Sequence, residues 1–450
     1  MSSSELAKLE STIFAFLMLI SIYGFFFVLP VLIFCKVVSF FEKRWTRFRP
    51  LSLECPKPLF PVAGFPTIQH HIDQLSEVAG LKEVLLIGFY QPSDIQPFVQ
   101  RIQRERPTIH FRYLQEFTPL GTAGGIYHFR DQLLVGAPDA IFVINADVCG
   151  DLPLCEMAEV ASHLHNMCCM VLTTEATRDQ SLNYGCVVID SANQQVLHYV
   201  EKPSTFISTN ISCGIYLITP EIIEHLATAF HRRAEIFQAN GDGEMQLDDV
   251  ETLWFERDIF PQLAATGSFY AYHSTRWWSQ IKTAASAIYA NRHCLALYRQ
   301  KQPDRLYSAP NIVGDVYVHP SATIDATAKI GPNVSIGKNV SIGRGSRIRE
   351  SIILDGSNLL ENSCVLYSII GWNSVVGQWS RVEGTPIGPN PNMPFAKMEN
   401  KPLFKRDGRL NPAITILGCG VHVPKESIVL NSIVLPHKEL TGSCKNQIIL

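Results

Sequence analysis

A valine or isoleucine recurs every six residues in the C-terminal part of the chain, and this period restricts the fold more than any other feature. Glycine follows three of these residues, at Gly331, Gly337 and Gly343. The repeated positions are Val318, Ile324, Ile330, Ile336, Ile342 and Ile348. Three faces of two residues each would make one six-residue coil with a single aliphatic side chain pointing inward, which is typical of left-handed parallel β-helices. We predict such a β-helix, built of hexapeptide repeats, over residues 310–450.

The period breaks at residues 383–412, which read EGTPIGPNPNMPFAKMENKPLFKRDGRLNP. Prolines, asparagines and charges make this stretch too polar and too often interrupted for a coil. We predict a long excursion loop here, before a final coil at residues 427–436. Long loops on rigid scaffolds often carry binding function, although a plain linker explains the composition equally well.

Residues 46–300 have the pattern of an α/β domain. Short apolar runs alternate with amphipathic stretches, and several runs are continuous, as expected of strands buried on both faces. Helices are predicted at residues 66–79 and 152–167, and strands at residues 83–90, 140–148, 168–176, 184–190, 213–219 and 268–274. This alternation predicts a Rossmann-like domain with a mainly parallel sheet, helices on both faces, and ligands at the carboxyl ends of the strands.

Residues 1–45 are an atypical apolar segment. No charged residue occurs between Glu10 and Lys36, and residues 13–35 are long enough to cross a bilayer as a helix, which takes about 20 residues. The lysines and arginines that follow would place that end in the cytosol. A transmembrane anchor, a substituted N-terminus and a buried core helix remain open, and a secretory signal fits less well. We expect the bulk of the chain in the cytoplasm, with a membrane contact only if residues 13–35 are genuine.

Charge content argues against nucleic acid as a partner, and cysteine content argues against disulfide and zinc sites. A net charge of -3 without a long basic run gives no electrostatic case for nucleic-acid binding. The twelve cysteines include no C-x-x-C pair. We therefore expect reduced, mostly buried thiols, and neither a disulfide framework nor a zinc site.

The most specific motif is TRFRPLSLECPKPLFPVAGFPTIQHHI at residues 46–72. Its prolines fix the chain so that the cations of Arg47 and Lys57 can point at one anionic ligand. Further motifs follow in order, namely PLGTAGGI at 119–126, VINADV at 143–148, NYGCV at 183–187 and YVEKPS at 199–204. Together these motifs resemble the sugar-phosphate nucleotidyltransferases, most closely the GDP-mannose pyrophosphorylases (mannose-1-phosphate guanylyltransferases), over residues 46–450.

The resemblance implies a chemistry and a set of site residues. In that family a sugar 1-phosphate attacks the α-phosphorus of a nucleoside triphosphate, so catalysis is mainly positioning and charge neutralisation. It implies no organic cofactor and a Mg²⁺ ion held by aspartates, the first of which is Asp147. The implied nucleotide-sugar-binding residues are Arg47, Lys57, Gly121, Thr122, Asp147, Gly185, Glu201, Lys202 and Ser212. Arg47 and Lys202 are the family-equivalent catalytic positions, and we assign no catalytic residue beyond that equivalence.

Three departures from the family pattern bear on function. The family's first strand leads into a glycine-rich loop before the arginine, whereas here no glycine occurs between Gly24 and Gly64. We therefore expect that strand and loop to have been replaced. Gln280 stands where the second metal-binding aspartate is expected, with Lys282 close by, so Mg²⁺ binding should be weakened. Ser212 stands in place of a longer sugar-binding asparagine.

These departures resemble the regulatory, α-type subunits of the family. The resemblance implies a chain that binds GDP-mannose or GTP, has little or no turnover, and restrains a catalytic β subunit. One alternative is an active guanylyltransferase in which another carboxylate completes the metal shell. An acyltransferase with His319 or His422 as the catalytic histidine, and a binding-only scaffold tethered by residues 13–35, also remain open.

Overall fold

The computed structural model describes residues 35–41, 48–239, 252–386, 397, 402–406, 408 and 410–450. An α/β domain comes first, and a stack of short parallel strands follows it. The predicted fold class is confirmed.

The elements of the α/β domain lie close to the predicted ones. Its strands are β1 (Cys35–Phe41), β2 (Pro61–Val62), β3 (Phe65–Pro66), β4 (Leu81–Gly88), β5 (His110–Gln115), β6 (Ala140–Asn145), β7 (Val148–Gly150), β8 (Cys169–Glu175), β9 (Gly185–Ile189), β10 (Val196–Glu201), β11 (Asn210–Ile218), β12 (Phe269–His273) and β13 (Trp278–Gln280). Its helices are α1 (Thr67–Leu75), α2 (Pro92–Glu105), α3 (Gly121–His128), α4 (Arg130–Leu133), α5 (Leu154–Ser162), α6 (Arg178–Ser181), α7 (Ile222–Ala239), a π-helical turn (Phe255–Ile259), α8 (Phe260–Leu263) and α9 (Ala284–Lys301). Short 3₁₀ turns occur at Leu51–Leu53, Lys57–Leu59 and Pro303–Arg305.

The main sheet has the strand order β10-β9-β11-β6-β1-β4-β5, with β8 beside β11 and β12 beside β8. Strands β1, β4, β5 and β6 run parallel, whereas β11 runs antiparallel to β6 and β8. Phe142 and Ile144 of β6 belong to one apolar cluster, and Ile141 and Val143 belong to another. A strand buried on both faces reads as a continuous apolar run, and β6 is therefore recognisable in the sequence.

Strand β1 lies at the centre of this sheet, where the sequence analysis placed no strand. Its Val38 pairs with Leu85 of β4 on one side and with Val143 of β6 on the other. The sheet therefore begins inside the apolar segment, before the expected boundary at residue 46, and a first strand is present. A central parallel strand and part of an apolar helix both read as a continuous apolar run. Periodicity alone therefore does not identify β1 within the apolar segment.

The predictions for the rest of the N-terminal segment concern residues that the structure does not describe. Residues 13–34, the stretch 42–46 and Arg47 lie outside the described residues. Within the described part, no helix combines the length and the apolar character needed to cross a membrane.

Beyond α9 the chain winds into three parallel sheets. Val318 pairs with Ile336, and Ile324 pairs with Ile342. The coil therefore closes after three hexapeptides. The expectation of one coil per hexapeptide is wrong, because each hexapeptide forms only one of the three sides of a coil. The strands are β14 (Val316–Val318), β15 (Thr323–Ile324), β16 (Lys329–Ile330), β17 (Val334–Ile336), β18 (Ser341–Ile342), β19 (Arg347–Arg349), β20 (Ile352–Ile353), β21 (Asn358–Leu359), β22 (Cys364–Leu366), β23 (Ser368–Ile370), β24 (Val375–Val376), β25 (Arg381–Glu383), β26 (Thr415–Leu417), β27 (His422–Val423), β28 (Ile428–Leu430), β29 (Ile433–Val434), β30 (Cys444–Lys445) and β31 (Ile448–Ile449).

The stretch predicted as an excursion loop, residues 383–412, falls between β25 and β26. The ladder resumes after it, because Ser368 of β23 pairs with Thr415 of β26. The backbone of Lys397 bonds to the Gln180 side chain in both directions, at 2.8 and 2.9 Å. The described part of this stretch thus contacts the α/β domain.

Helix α9 joins the two parts of the molecule. Apolar residues of α9, of the β-helix and of the entrance segment, defined as residues 48–66, share one buried cluster. Asn291 of α9 is fully buried; its side chain accepts from the Ala63 N–H at 2.8 Å and donates to the Asn333 carbonyl at 3.3 Å. The entrance segment is therefore held between the α/β domain and the β-helix.

Candidate functional site

A cavity of about 360 Å³ opens where β6 and β10 end. Four lysines or arginines and three carboxylates line it, so charges of both signs face one small space. The lining residues are Lys57, Pro58, Tyr90, Asn145, Ala146, Asp147, Asn183, Tyr184, Gly185, Tyr199, Glu201, Lys202, Ser212, Gly214, Tyr216, Trp254, Glu256, Arg257, Gln280 and Lys282. The predicted site residues that the cavity brings together are Lys57, Asp147, Gly185, Glu201, Lys202 and Ser212.

Asp147 is fixed by the turn between β6 and β7. Strand β13 pairs antiparallel with β7, which places Gln280 opposite Val148. The Asp147 carbonyl accepts from the Ile281 N–H at 2.7 Å. Because of this pairing, Gln280 lies beside Asp147 in space, as the family pattern implies for the second acidic position.

Asp147 has a lysine as its ion-pair partner and shares the cavity with a second lysine. The Lys57 ammonium lies 3.9 Å from the Asp147 carboxylate, and the side chains are 5% and 11% exposed. Lys282 lies with its ammonium 5.4 Å from the Tyr184 ring centre and lines the same cavity. The Lys57 ammonium beside Asp147, and the second cation in the same cavity, oppose the binding of a further cation there.

The family's Mg²⁺ ion does not fit these residues well. Mg²⁺ prefers oxygen ligands, with carboxylates supplying the charge. The Gln280 amide oxygen is buried and makes no hydrogen bond within the described part of the chain, but it is neutral. Asp147 also belongs to no group of three or more possible metal ligands among the described residues. We therefore derive no reaction step through a metal.

The glycine of the motif NYGCV, Gly185, is required by packing between β9 and β10. Gly185 pairs with Glu201, and a Cβ atom on Gly185 would overlap the Tyr199 hydroxyl and stand 2.8 Å from the Glu201 carboxylate. The Tyr199 hydroxyl donates to Glu201 at 3.4 Å. A residue without a side chain is needed here so that Tyr199 and Glu201 can reach the cavity.

Lys202 and Glu201, both implied as binding residues by the resemblance, form an ion pair. The Lys202 ammonium lies 2.8 Å from the Glu201 carboxylate, and its side chain is 61% exposed. The Lys202 N–H donates to the Tyr184 carbonyl at 3.1 Å, which ties the two motifs together. Lys202 can therefore swing toward an anionic ligand while its backbone stays fixed.

The third carboxylate in the cavity, Glu256, is not among the site residues predicted from the sequence. It comes from the π-helical turn, and its carboxylate accepts from the Tyr216 hydroxyl at 2.7 Å. Burial raises the pKa of Glu256, and the hydrogen bond from Tyr216 partly opposes that rise. The guanidinium carbon of Arg257 lies 5.3 Å from the centre of the Trp254 ring, and both residues also line the cavity. The only feature of the sequence around Glu256 is a short run of aromatic and charged residues, whose spacing matches no motif.

Ser212 lies in the cavity wall on an irregular part of β11. The strand loses register between Ser212 and Tyr216, and Gly214 there has a φ of +72°. A Cβ atom on Gly214 would stand 2.8 Å from the Asn145 side-chain nitrogen. Asn145 therefore occupies space next to Ser212, and its own side-chain oxygen has no partner among the described residues.

Gly121 and Thr122, which the resemblance implies as nucleotide-sugar-binding residues, pack against the segment that begins at residue 252. The N–H groups of Ala123 and Gly124 both donate to the Leu253 carbonyl at 3.1 Å. A Cβ atom on Gly121 would overlap that same carbonyl oxygen, and Thr122 is buried. Neither residue lines the cavity described here. The glycines are needed because the segment after residue 252 crosses the start of α3 closely.

The histidines considered for acyl transfer lie apart on the β-helix, His319 half-buried just after β14 and His422 exposed in β27. His319 bonds to the Ser321 hydroxyl at 2.9 Å, and His422 lies at the exposed start of β27. Neither histidine lines the cavity described above.

Two family models match the chain. One described as "Nucleotidyl transferase" covers residues 45–242, and one described as "GMPPB C-terminal domain" covers residues 312–449. They divide the chain as the fold does, into an α/β domain and a β-helix.

Curated relatives match over most of the chain. The "Mannose-1-phosphate guanylyltransferase regulatory subunit alpha-B" of Danio rerio is 55% identical over 415 residues, covering 91% of this chain and 97% of that protein. The "Mannose-1-phosphate guanyltransferase alpha-A" of Xenopus laevis is 54% identical, and so is the "regulatory subunit alpha" of Papio anubis, each with 91% of this chain and 97% of the relative covered. At this identity and coverage, the chain belongs to the nucleotidyltransferase family whose members are named mannose-1-phosphate guanylyltransferase regulatory subunit alpha.

Proposed function

We propose that this chain binds GDP-mannose in the cavity, forms little or none of it, and restrains a catalytic partner subunit. The surroundings of Asp147 are the main support. A single carboxylate there faces the neutral Gln280 amide, with the Lys57 ammonium 3.9 Å away. The name "regulatory subunit" carried by the relatives supports a partner.

The same charges that oppose a metal favour a diphosphate. Four cationic side chains outnumber three carboxylates around the cavity. Phosphate oxygens bind lysine and arginine through charge-assisted hydrogen bonds. We infer that Lys57 and Lys282 take the place of the metal ion as counter-charges for the ligand. Binding should therefore not depend on Mg²⁺.

The end of the cavity around Glu201 and Glu256 suits a sugar. Two carboxylates, Glu201 and Glu256, each accept from a tyrosine hydroxyl and keep further lone pairs for ligand hydroxyl groups. We assign this end to the mannose unit. Ser212 lies in the same wall, and its short hydroxyl would contact the sugar less directly than an asparagine would.

Isothermal titration of the full chain with GDP-mannose tests the binding half of the proposal. We expect the same affinity in EDTA and in Mg²⁺. Glu201→Gln should weaken binding about tenfold or more, since a hydrogen bond to a charged group contributes about 1.5–3 kcal/mol. Glu159→Gln, at an exposed position on α5, is the matched control and should leave the affinity unchanged. Binding only in Mg²⁺, or no binding, would contradict this half.

A mixing assay tests the regulatory half. The full chain is added to a catalytic guanylyltransferase subunit, and the initial rate of GDP-mannose formation is measured with and without added GDP-mannose. We expect the chain to lower the rate more when GDP-mannose is present, and Glu201→Gln to lose that difference. A rate that rises in proportion to added chain would favour the alternative, an active nucleotidyltransferase.

A further inference from the structure

Three possible metal ligands from distant parts of the sequence meet where the entrance segment touches the β-helix. Glu54, Cys419 and His437 each offer one donor atom, and the three donors lie within 4.8 Å of one another. In the described part of the chain they form the one such group of three or more. We propose that they bind a divalent cation of borderline softness, with Zn²⁺ as the reference ion.

The coil of the β-helix positions two of the ligands. Cys419 and His437 lie in successive coils, and the His437 N–H donates to the Cys419 carbonyl at 2.7 Å. Gly420 lies between them with a φ of +63°, and a Cβ atom there would stand 2.8 Å from the His437 Nδ1 atom. The missing side chain at Gly420 leaves room for the imidazole to lie beside Cys419.

The third ligand comes from the other domain. The Glu54 carboxylate oxygen lies 3.9 Å from the His437 Nε2 atom. Glu54 follows a short 3₁₀ turn in the entrance segment, whose neighbouring residues are buried against the β-helix. The docking of the two domains, and not the sequence spacing, brings this carboxylate to the histidine and the thiol.

The donor set selects the class of metal. Zn²⁺ takes thiolate sulfur, imidazole nitrogen and carboxylate oxygen at about 2.0–2.3 Å, usually in a tetrahedron. Donors in such a tetrahedron lie about 3.5 Å apart, so the spacing here needs only small side-chain movements. Glu54 and His437 are 40% and 71% exposed, so both can make them. Three protein ligands leave one position for water. A hard ion such as Mg²⁺ would gain little from sulfur or nitrogen.

A metal here would link the β-helix to the nucleotide-sugar cavity. Glu54 is near Lys57 in the entrance segment, and Lys57 lines the cavity beside Asp147. Bound metal would cross-link Glu54 to the β-helix and restrict movement of this segment. This inference does not depend on which reaction or ligand the cavity serves, and it differs from the expectation, drawn from the sequence, that the chain has no zinc site.

Cobalt spectroscopy of the metal-free full chain is the direct test. Co²⁺ bound to a cysteine thiolate gives a charge-transfer band in the near ultraviolet, and tetrahedral Co²⁺ gives intense visible bands. We expect both at one equivalent of Co²⁺, and we expect one equivalent of Zn²⁺ to abolish them. Cys419→Ser should remove the thiolate band, whereas Cys364→Ser, a half-buried cysteine of β22, should keep it.

Zinc titrations of single variants test the other ligands. His437→Ala and Glu54→Gln should each weaken Zn²⁺ affinity about tenfold or more, in the range found for altered metal shells. His422→Ala, at an exposed histidine of β27, is the matched control. The melting temperature of each metal-free variant checks folding, and Cys419→Ala replaces Cys419→Ser if the latter is destabilised. Equal affinities for all variants, or a band that survives in Cys419→Ser, would overturn the proposal.

Discussion

Glu116 gives the sharpest stability prediction, because it is a buried carboxyl group with little compensation. It follows β5, its N–H donates to the Gly88 carbonyl at 2.8 Å, and its side chain is 6% exposed. One carboxyl oxygen has no hydrogen-bond partner in the described structure. Burial raises the pKa of Glu116 from 4.5 to about 8.

The sign of the pH dependence follows from that shift. Below pH 4.5 the carboxyl group is protonated in both the folded and the unfolded chain. Between 4.5 and about 8 the unfolded chain loses this proton while the folded chain keeps it. The stability that the neutral form contributes is therefore lost as pH rises through this window. One pKa unit corresponds to about 1.36 kcal/mol, so the loss between about pH 5 and about pH 8 is roughly 4 kcal/mol.

Glu116→Gln removes this titration. The free energy of unfolding of the variant, measured by urea denaturation followed by tryptophan fluorescence, should exceed that of the wild type increasingly as pH rises from about 5 to about 8, by roughly 4 kcal/mol at the end. Glu159→Gln, the exposed control on α5, should follow the wild-type profile. Parallel profiles for Glu116→Gln and the wild type would refute the argument that burial holds the proton.

Two further substitutions test the packing behind the site. Gly185→Ala should displace Tyr199 and Glu201, and GDP-mannose affinity measured by titration should fall about tenfold or more, because a charged hydrogen-bonding group is moved; unchanged affinity would exclude this assignment of the cavity. Asn291→Ala leaves the Ala63 N–H and the Asn333 carbonyl buried without their present partner, at about 1–3 kcal/mol for each group. The urea midpoint should fall accordingly, and a midpoint equal to that of the wild type would show that the side chain does not hold the domains together.

The structural elements that could be predicted from the sequence are those in which a local pattern of apolar residues corresponds to a single kind of buried surface. The hexapeptide period identified the β-helix, and continuous apolar runs identified β6 and β8, because burial on both faces leaves no polar alternation. Motif order identified the carboxyl-end cavity with Asp147, Glu201 and Ser212. These features are local, or they follow from the topology of a parallel sheet.

The features that were missed depend on contacts between distant residues. Strand β1 looked like part of an apolar helix, because its partners β4 and β6 are supplied by later parts of the chain. Glu256 enters the cavity from a π-helical turn that no simple period marks. The glycines after residue 120 suggested a ligand loop, and the contact of this loop with Leu253, through the N–H groups of Ala123 and Gly124, has no signal in the sequence. Glu54 and His437 meet only after the domains dock.

Turnover by the isolated full chain tests the central claim most directly. The chain is supplied with GTP, mannose 1-phosphate and Mg²⁺, and GDP-mannose is measured by chromatography over time. The arrangement of Asp147, Gln280 and Lys57 predicts no product above the background without protein, in the same preparation that binds GDP-mannose by titration. Formation of GDP-mannose at ordinary enzyme rates, roughly 1–10³ s⁻¹, would contradict the claim that this cavity binds but does not make the nucleotide sugar.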